Sequence, residues 1–353
     1  MDGIGDNIMK ILIVRFSSLG DIVLTSPATR ALRLKYPEAH ISFAVKAMYA
    51  SIACLLPGVD SVISLKPDQP FLSFLHEIRE ESFDIIIDLH ANPRSIILGR
   101  LGRGSKTVTY NNRRLARMRM VSRFGGSIET RHTIENYLSA LNPLGIERAN
   151  HQTELQVGAN EEQSVADRLM HSGIGAEQTL LGIAPGASST VKQWPAKFFA
   201  EIADRLNAPP SMGILVVGGH QDRATATDIV SLSRADLLNW VGDLDIGLLP
   251  AALSRCRAVL SNDSGPMHVA SAVGTPVLGL FGPTHPRLGF APIGTEDLSL
   301  TLDLDCSPCS RHGNRPCWKN TRACLEEMSP DQVFSKLSRL LDTQKCSTQP
   351  DMP

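Results

Sequence analysis

Short apolar runs of strand length alternate with longer stretches of helical periodicity along this chain, and the alternation begins twice. In the first half, strand-like runs at Ile11–Phe16, Ile41–Val45, Val62–Leu65 and Ile85–Leu89 are separated by helical patterns at Pro27–Lys35, Tyr49–Leu56 and Phe71–Glu81. Helical patterns near Thr133–Leu144 and Glu161–His171 follow. The series then restarts with strands at Leu180–Ala184, Gly213–Val217, Ala258–Ser261 and Pro276–Phe281, separated by helices at Ala196–Leu206, Arg223–Ser231, Ile246–Arg255 and Met267–Val273. Strands that are apolar on both faces need helices on both sides, so each half predicts a doubly wound α/β domain around a parallel sheet. The expected domains are 1–165 and 166–353, joined near 158–178, with a last amphipathic helix over Pro330–Leu341 that could pack back on the first domain. Ligands of open α/β sheets bind beyond the carboxyl ends of the strands, so two such domains are expected to face each other across a cleft.

At 353 residues the chain is long enough for two cores, and 42% hydrophobic with 20% charged residues is the balance of a globular protein. No apolar run approaches the roughly 18 to 20 residues that span a bilayer. The N-terminus lacks the charged and apolar regions of an export signal, and residues 1–8 read as an extension ahead of the patterned chain. A cytoplasmic location is therefore expected. The net charge of −1 conceals an asymmetry. Between Arg94 and Arg131 there are ten Lys or Arg residues and one acid, Glu129, which leaves about −10 on the remainder.

Three strand ends carry side chains suited to group transfer. After the first strand, Ser17-Ser18-Leu19-Gly20-Asp21 makes a glycine turn ahead of a helix opening near Pro27, placing Asp21 where a general base could take a proton from an attacking hydroxyl. A turn or capping role is the competing reading. No G-x-G-x-x-G occurs at this junction, which speaks against a dinucleotide-dependent dehydrogenase. After Leu180–Ala184, the stretch Pro185 to Pro195 offers small residues, the hydroxyls of Ser188, Ser189 and Thr190, and the cation of Lys192. Such a loop can present backbone N–H groups and an ammonium to a pyrophosphate. After Ala258–Ser261, Asp263 or Ser264 could be a helix cap, while free N–H groups at Ser264 and Gly265 would favour an anion. Asp88 to Arg94 ends another first-half strand, so His90, Asn92 and Arg94 are candidates to touch a substrate, with Asp88 either joining them or holding the loop.

Gly20-Asp21, Pro185-Gly186 with Lys192-Gln193-Trp194-Pro195, Asn262 to His268, Gly274-Thr275-Pro276 and Phe281-Gly282-Pro283-Thr284 occur in this order along the chain. Together they resemble the ADP-heptose:lipopolysaccharide heptosyltransferases of glycosyltransferase family 9, over about Met9 to Leu341. The resemblance implies a GT-B fold and an inverting reaction with no metal or cofactor. It further implies ADP-L-glycero-D-manno-heptose as donor and the Kdo/heptose inner core of lipopolysaccharide as acceptor. Position by position, it implies that Asp21 is the catalytic base and that Lys192 holds the donor phosphates. Asp263, Ser264, Gly265 and His268 fall on the motif that binds phosphate and heptose, and Asp222 on an acid at the nucleoside side.

The basic segment complements an anionic glycolipid, with Arg113, Arg114, Arg117 and Arg119 as the acceptor candidates, placed in the first domain. The same charges could hold the protein peripherally at the cytoplasmic face of the inner membrane. A solvated helix face and a nucleic-acid patch are the alternatives. With few aromatic residues nearby, nucleic acid is not expected as a partner. Cys306, Cys309, Cys317 and Cys324 have the spacing C-x2-C-x7-C-x6-C. Four thiolates could bind zinc, but only the first pair has the usual spacing, and reduced thiols are the favoured reading. A similar cysteine loop in relatives resembling the second heptosyltransferase leans the reading to that subtype. The rival functions are a related transferase or an epimerase using another sugar nucleotide, and a non-catalytic RNA- or membrane-binding protein.

Overall fold

The computed structural model describes residues 8–121, 131–207 and 212–346. Most of the expected N-terminal extension, Arg123 and Glu129 of the basic segment, and residues 347–353 lie outside the described residues. The chain divides into two compact units, Met1–Asn112 with Thr133–Gln156 and Arg113–His132 with Val157–Pro353.

In the first unit, β1 (Lys10–Val14), β2 (His40–Lys46), β3 (Ser61–Leu65), β4 (Ile85–Asp88) and β5 (Lys106–Thr109) form a parallel sheet of order β3-β2-β1-β4-β5. Ile11 to Val14 and Ile85 to Ile87 are buried, because branched side chains on both faces of a central strand suit a sheet covered twice. Helices α1 (Leu19–Val23), α2 (Ser26–Lys35), α3 (Ala50–Cys54), α4 (Phe71–Glu81) and α5 (Pro93–Leu101) connect the strands. Leu12, Val14, Phe16, Phe74, Ile78, Ile86 and Leu98 share one core. The strand order reverses between β1 and β4, whose last paired residues are Val14 and Asp88. This switch point opens a crevice beyond their carboxyl ends.

The chain then forms α6 (Arg114–Met120) and α7 (Thr133–Ser139), and the boundary between units falls after Gln156, some ten residues ahead of the expected division. In the second unit, α8 (Ala159–His171) precedes β6 (Thr179–Ala184), α9 (Ala196–Leu206), β7 (Met212–Val216), α10 (Arg223–Leu232), β8 (Leu237–Asn239) and α11 (Leu249–Ser254). β9 (Cys256–Asn262), α12 (Gly265–Ala272), β10 (Val277–Phe281), β11 (Leu298–Thr301), α13 (Ala323–Glu326) and α14 (Pro330–Cys346) complete it. The sheet is parallel, in the order β11-β10-β9-β6-β7-β8, and its switch point lies between β6 and β9. Val333, Leu337, Leu340 and Leu341 of α14 belong to the core of this second unit, which is where the apolar face of the last helix is used.

Three departures from the expected elements have a common cause. β5, β8 and β11 are edge strands, short and only partly buried, so they lack the continuous apolar run that marks their neighbours. Asp21 lies in the five-residue helix α1 rather than in an open turn. The segment Arg113–His132, expected in the first domain, groups with the second unit. Arg117 is buried with its guanidinium 4.9 Å from the Phe290 ring centroid, and His132 Nε2 lies 3.0 Å from the Ala291 carbonyl oxygen. Those contacts tie the segment to the second unit. They also leave Arg113, Arg114, Arg117 and Arg119 on that unit and not in the first domain, where they were expected.

Candidate active site

At the first switch point the chain leaves β1 directly into Arg15, a guanidinium only 7% exposed. Its NH1 donates to the Leu89 carbonyl at 2.7 Å, and its NH2 meets Asp21 Oδ1 at 2.8 Å. The other carboxylate oxygen of Asp21 accepts from Ser18 Oγ at 2.7 Å and from Ser18 N at 3.3 Å, which fixes the side chain at the start of α1. The Tyr137 hydroxyl donates to Oδ1 at 3.4 Å. Burial alone would raise the Asp21 pKa, but the Arg15 charge and the Ser18 hydrogen bonds outweigh it and hold the carboxyl below its ordinary value. Asp21 is thus an ionised, oriented acceptor of hydrogen bonds. It can hold a hydroxyl group and take its proton as the oxygen becomes acidic during attack.

Asp88, fully buried at the end of β4, accepts from His90 N at 2.8 Å, Ala91 N at 2.9 Å and Ser95 Oγ at 3.0 Å. Burial raises its pKa against those bonds. Of the two roles open to Asp88, the structure shows loop support, with Ala91 held at φ 52°. Asn92 caps α5 by accepting from Ser95 N at 2.8 Å, and Arg94 stands exposed on the same helix. His90 packs edge-on to Phe16 with ring centroids 5.6 Å apart, and its Nδ1 is buried with no hydrogen-bond partner among the described residues. Burial and then Arg15 push its pKa down to about 4, so the imidazole is neutral at ordinary pH.

At the second switch point the loop after β6 closes into a short 3-10 turn, Thr190–Lys192, with Ser189 Oγ accepting from Val191 N at 3.4 Å. Ser188 and Thr190 are exposed, whereas Lys192 is 8% exposed and its Nζ lies 2.8 Å from Asp263 Oδ2. Thr284 Oγ1 donates to the same oxygen at 2.6 Å. Asn262 joins the loop to β9, donating through Nδ2 to the Pro185 carbonyl at 2.6 Å and accepting at Oδ1 from Trp194 N at 3.1 Å. Ser264 caps α12 in an extended conformation without a side-chain cap bond, and its Oγ lies 3.3 Å from Ser261 Oγ. Gly265 therefore opens the helix with its first amides directed outward, and His268, one turn on, is buried. An ammonium beside a helix N-terminus at a switch point is an arrangement that stabilises a diphosphate.

Asp222 follows β7 and is 4% exposed. Its Oδ2 accepts from Gly219 N at 2.9 Å, while Oδ1 is buried with no partner among the described residues. Burial raises its pKa. The carboxylate packs so closely on Gly186 that any Cβ there would overlap it.

The four clustered cysteines line one cavity of about 390 Å³ with Val191, the residue before Lys192. Burial and then the neighbouring thiols raise Cys309, and the same causes push Cys324 up to about 11. Cys317, which burial alone would raise, is lowered by backbone N–H groups of Arg322, Lys319, Thr321 and Asn320. No three His, Cys, Asp or Glu side chains among the described residues are placed to share a metal ion. The loop walls the site. Gly313, at φ 66°, crosses the Lys192 stem with no room for a Cβ, and Arg322 NH2 donates to the Gln193 carbonyl at 2.5 Å.

The structure thus brings together Lys192, Asp263 and Ser264, and separately Asp21 and His90 through their shared neighbour Arg15. Sequence reasoning missed Arg15 and Tyr137, and it quoted Thr284 only within the family pattern, without a role. A lone arginine directly after four buried apolar strand residues was the available signal for the first.

The sequence pattern of glycosyltransferase family 9 (heptosyltransferase) matches residues 71–318. The chain belongs to this family. It is a glycosyltransferase, 24% identical over 355 residues to lipopolysaccharide heptosyltransferase 2 of Escherichia coli, a match covering 94% of this chain and 99% of that protein. It is 26% identical over 366 residues to lipopolysaccharide heptosyltransferase 1 of Pseudomonas aeruginosa, covering 94% and 98%. Among solved structures, a family 9 glycosyl transferase from Veillonella parvula superposes with a TM-score of 0.80 at 23% identity, covering 95% of this chain and 97% of that one. E. coli ADP-heptose lps heptosyltransferase II gives 0.74 at 22%, covering 96% and 100%. These likenesses show the fold, the two Rossmann-like domains of GT-B transferases.

Proposed function

We propose that this family 9 glycosyltransferase moves heptose from ADP-L-glycero-D-manno-heptose to the Kdo/heptose inner core of lipopolysaccharide, with inversion and without a metal, at the cytoplasmic face of the inner membrane. The observation that carries the reading is the Lys192–Asp263–Thr284 cluster at the mouth of the second sheet, beside the α12 N-terminus. The names of the relatives support heptose and lipopolysaccharide as substrates. The four-cysteine loop favours the second heptosyltransferase type.

In this reading Asp21 serves the acceptor and the Lys192 cluster serves the donor. The acceptor hydroxyl, held by Asp21, attacks the anomeric carbon from the face opposite the diphosphate and gives its proton to the carboxylate. As the new C–O bond forms, the bond to ADP breaks and its electron pair leaves on the diphosphate. Lys192 and the amides of Ser264 and Gly265 stabilise that charge, in the place a metal ion would otherwise fill. Asp222 meets the nucleoside, while His90 and Arg94 meet the anionic acceptor. The test is incubation with ADP-heptose and, in parallel, Kdo-lipid A and heptosyl-Kdo-lipid A in EDTA, followed by mass spectrometry. One added heptose, or one per available site, is expected. Transfer from a UDP-sugar but not from ADP-heptose, or a requirement for a divalent cation, refutes the reading.

A further inference from the structure

The outer face of α5 carries cations and bare aliphatic side chains in alternation. Ser95, Leu98 and Gly99 face the first unit's core. The opposite side presents Arg94, Ile97 and Leu101, positions three to four residues apart and hence on one face, with Arg100 three residues after Ile97 beside them and Arg103 following. Ile97 is 43% exposed and Leu101 51% exposed. From Leu89 to Val121 the sequence holds no Asp or Glu. No ion pair forms to Arg94, Arg100 or Arg103 among the described residues.

We infer that this face of α5 is a docking surface for an anionic lipid bilayer. A helix that interleaves Arg with Ile and Leu lies at the headgroup boundary, its aliphatic side chains in the acyl edge and its guanidinium groups on lipid phosphates. Either contribution alone gives weak attachment, and the two together hold. Nucleic acid fits less well, because single strands are gripped by stacking on aromatic rings and this face has none. No helix among the described residues is long and apolar enough to cross a membrane, so the contact is peripheral. The docking does not rest on the identity of donor or acceptor.

The experiment is flotation of the full chain with phosphatidylglycerol/phosphatidylethanolamine vesicles and with phosphatidylcholine vesicles. It compares the wild type with Ile97→Ser/Leu101→Ser and with Arg100→Gln/Arg103→Gln. The wild type is expected to float with the anionic vesicles only and to release at about 0.5 M salt. Each surface cation contributes about fivefold, so the arginine pair variant should bind roughly 25-fold more weakly. The aliphatic pair variant should lose binding to a similar degree, while heptose transfer to a lipid-free core oligosaccharide stays at the wild-type rate. Equal flotation with both vesicle types overturns the inference, as does wild-type flotation of the aliphatic variant or tighter binding to an RNA oligomer than to vesicles. If transfer fails while flotation behaves as described, the sugar reading falls and the docking surface stands.

Discussion

Replacing Asp21 by asparagine keeps the shape of the side chain and removes the negative charge that faces Arg15. The two side chains are 19% and 8% exposed and stand 2.8 Å apart, so the guanidinium is left charged in a poorly solvated place. Removing one partner of such a pair costs about 3–5 kcal/mol. The amide can still accept from Ser18 Oγ and Asp21 keeps some contact with solvent, which puts the expectation at the lower end, about 3 kcal/mol. For a unit of this size the melting midpoint falls by roughly 4 °C per kcal/mol, or about 12 °C in the first unit's transition. Because folding holds the Asp21 pKa below its unfolded value, the stabilisation is complete above about pH 4 and disappears as pH falls through the folded value. Calorimetry of both proteins from pH 8 down to pH 3.5 should therefore show a constant gap until about pH 4 and a closing one below it. No gap at pH 7.5, or a gap that already closes between pH 8 and 6, refutes the argument. Sugar transfer should be lost in the same variant while ADP still binds.

Lys192→Met removes the ammonium and strands Asp263, so ADP affinity measured by titration calorimetry should fall about 10- to 100-fold, from the roughly 1.5–3 kcal/mol of a charged hydrogen bond; unchanged affinity counts against the donor site. Gly186→Ala forces a methyl group onto the Asp222 carboxylate, and overpacking of that kind should cost about 1–3 kcal/mol in urea unfolding, against no change if the loops are loosely packed. His90 is kept neutral down to about 4 in the folded chain, so the unfolded chain takes up its proton first. Stability should decline as pH drops from about 6.5 to 4, and His90→Gln should flatten part of that slope. Equal slopes would show that the ring is freely protonated.

What could be read in the sequence follows from how local each feature is. Buried central strands such as Ile11 to Val14 announce themselves through an unbroken apolar run, and the helices Phe71–Glu81 and Ala196–Leu206 fall on the expected residues because their periodicity is long. Edge strands such as Leu237–Asn239 carry no comparable mark. Asp21 and Lys192 were legible because each follows a strand end. Their partners were not, since Tyr137 reaches Asp21 across 116 positions and Thr284 reaches Asp263 across 21. The path of the cysteine loop over Lys192 depends on a glycine conformation at Gly313 that no spacing reveals. The basic helix was assigned by order along the chain, whereas its burial against Phe290 decided where it belongs.

Asn262 holds the Pro185 carbonyl with one end of its amide and the Trp194 N–H with the other. The intervening stretch is thereby a noose with a fixed knot. Lengthening it near Ser188 would alter its span while both ends stay tied, and the entropy of a longer closed segment grows only slowly. Retooling for a bulkier or differently charged leaving group is thus open to the chain within residues 187–190, between the tightly packed Gly186 and the Lys192 cation, whereas a change at Asn262 would untie both ends together.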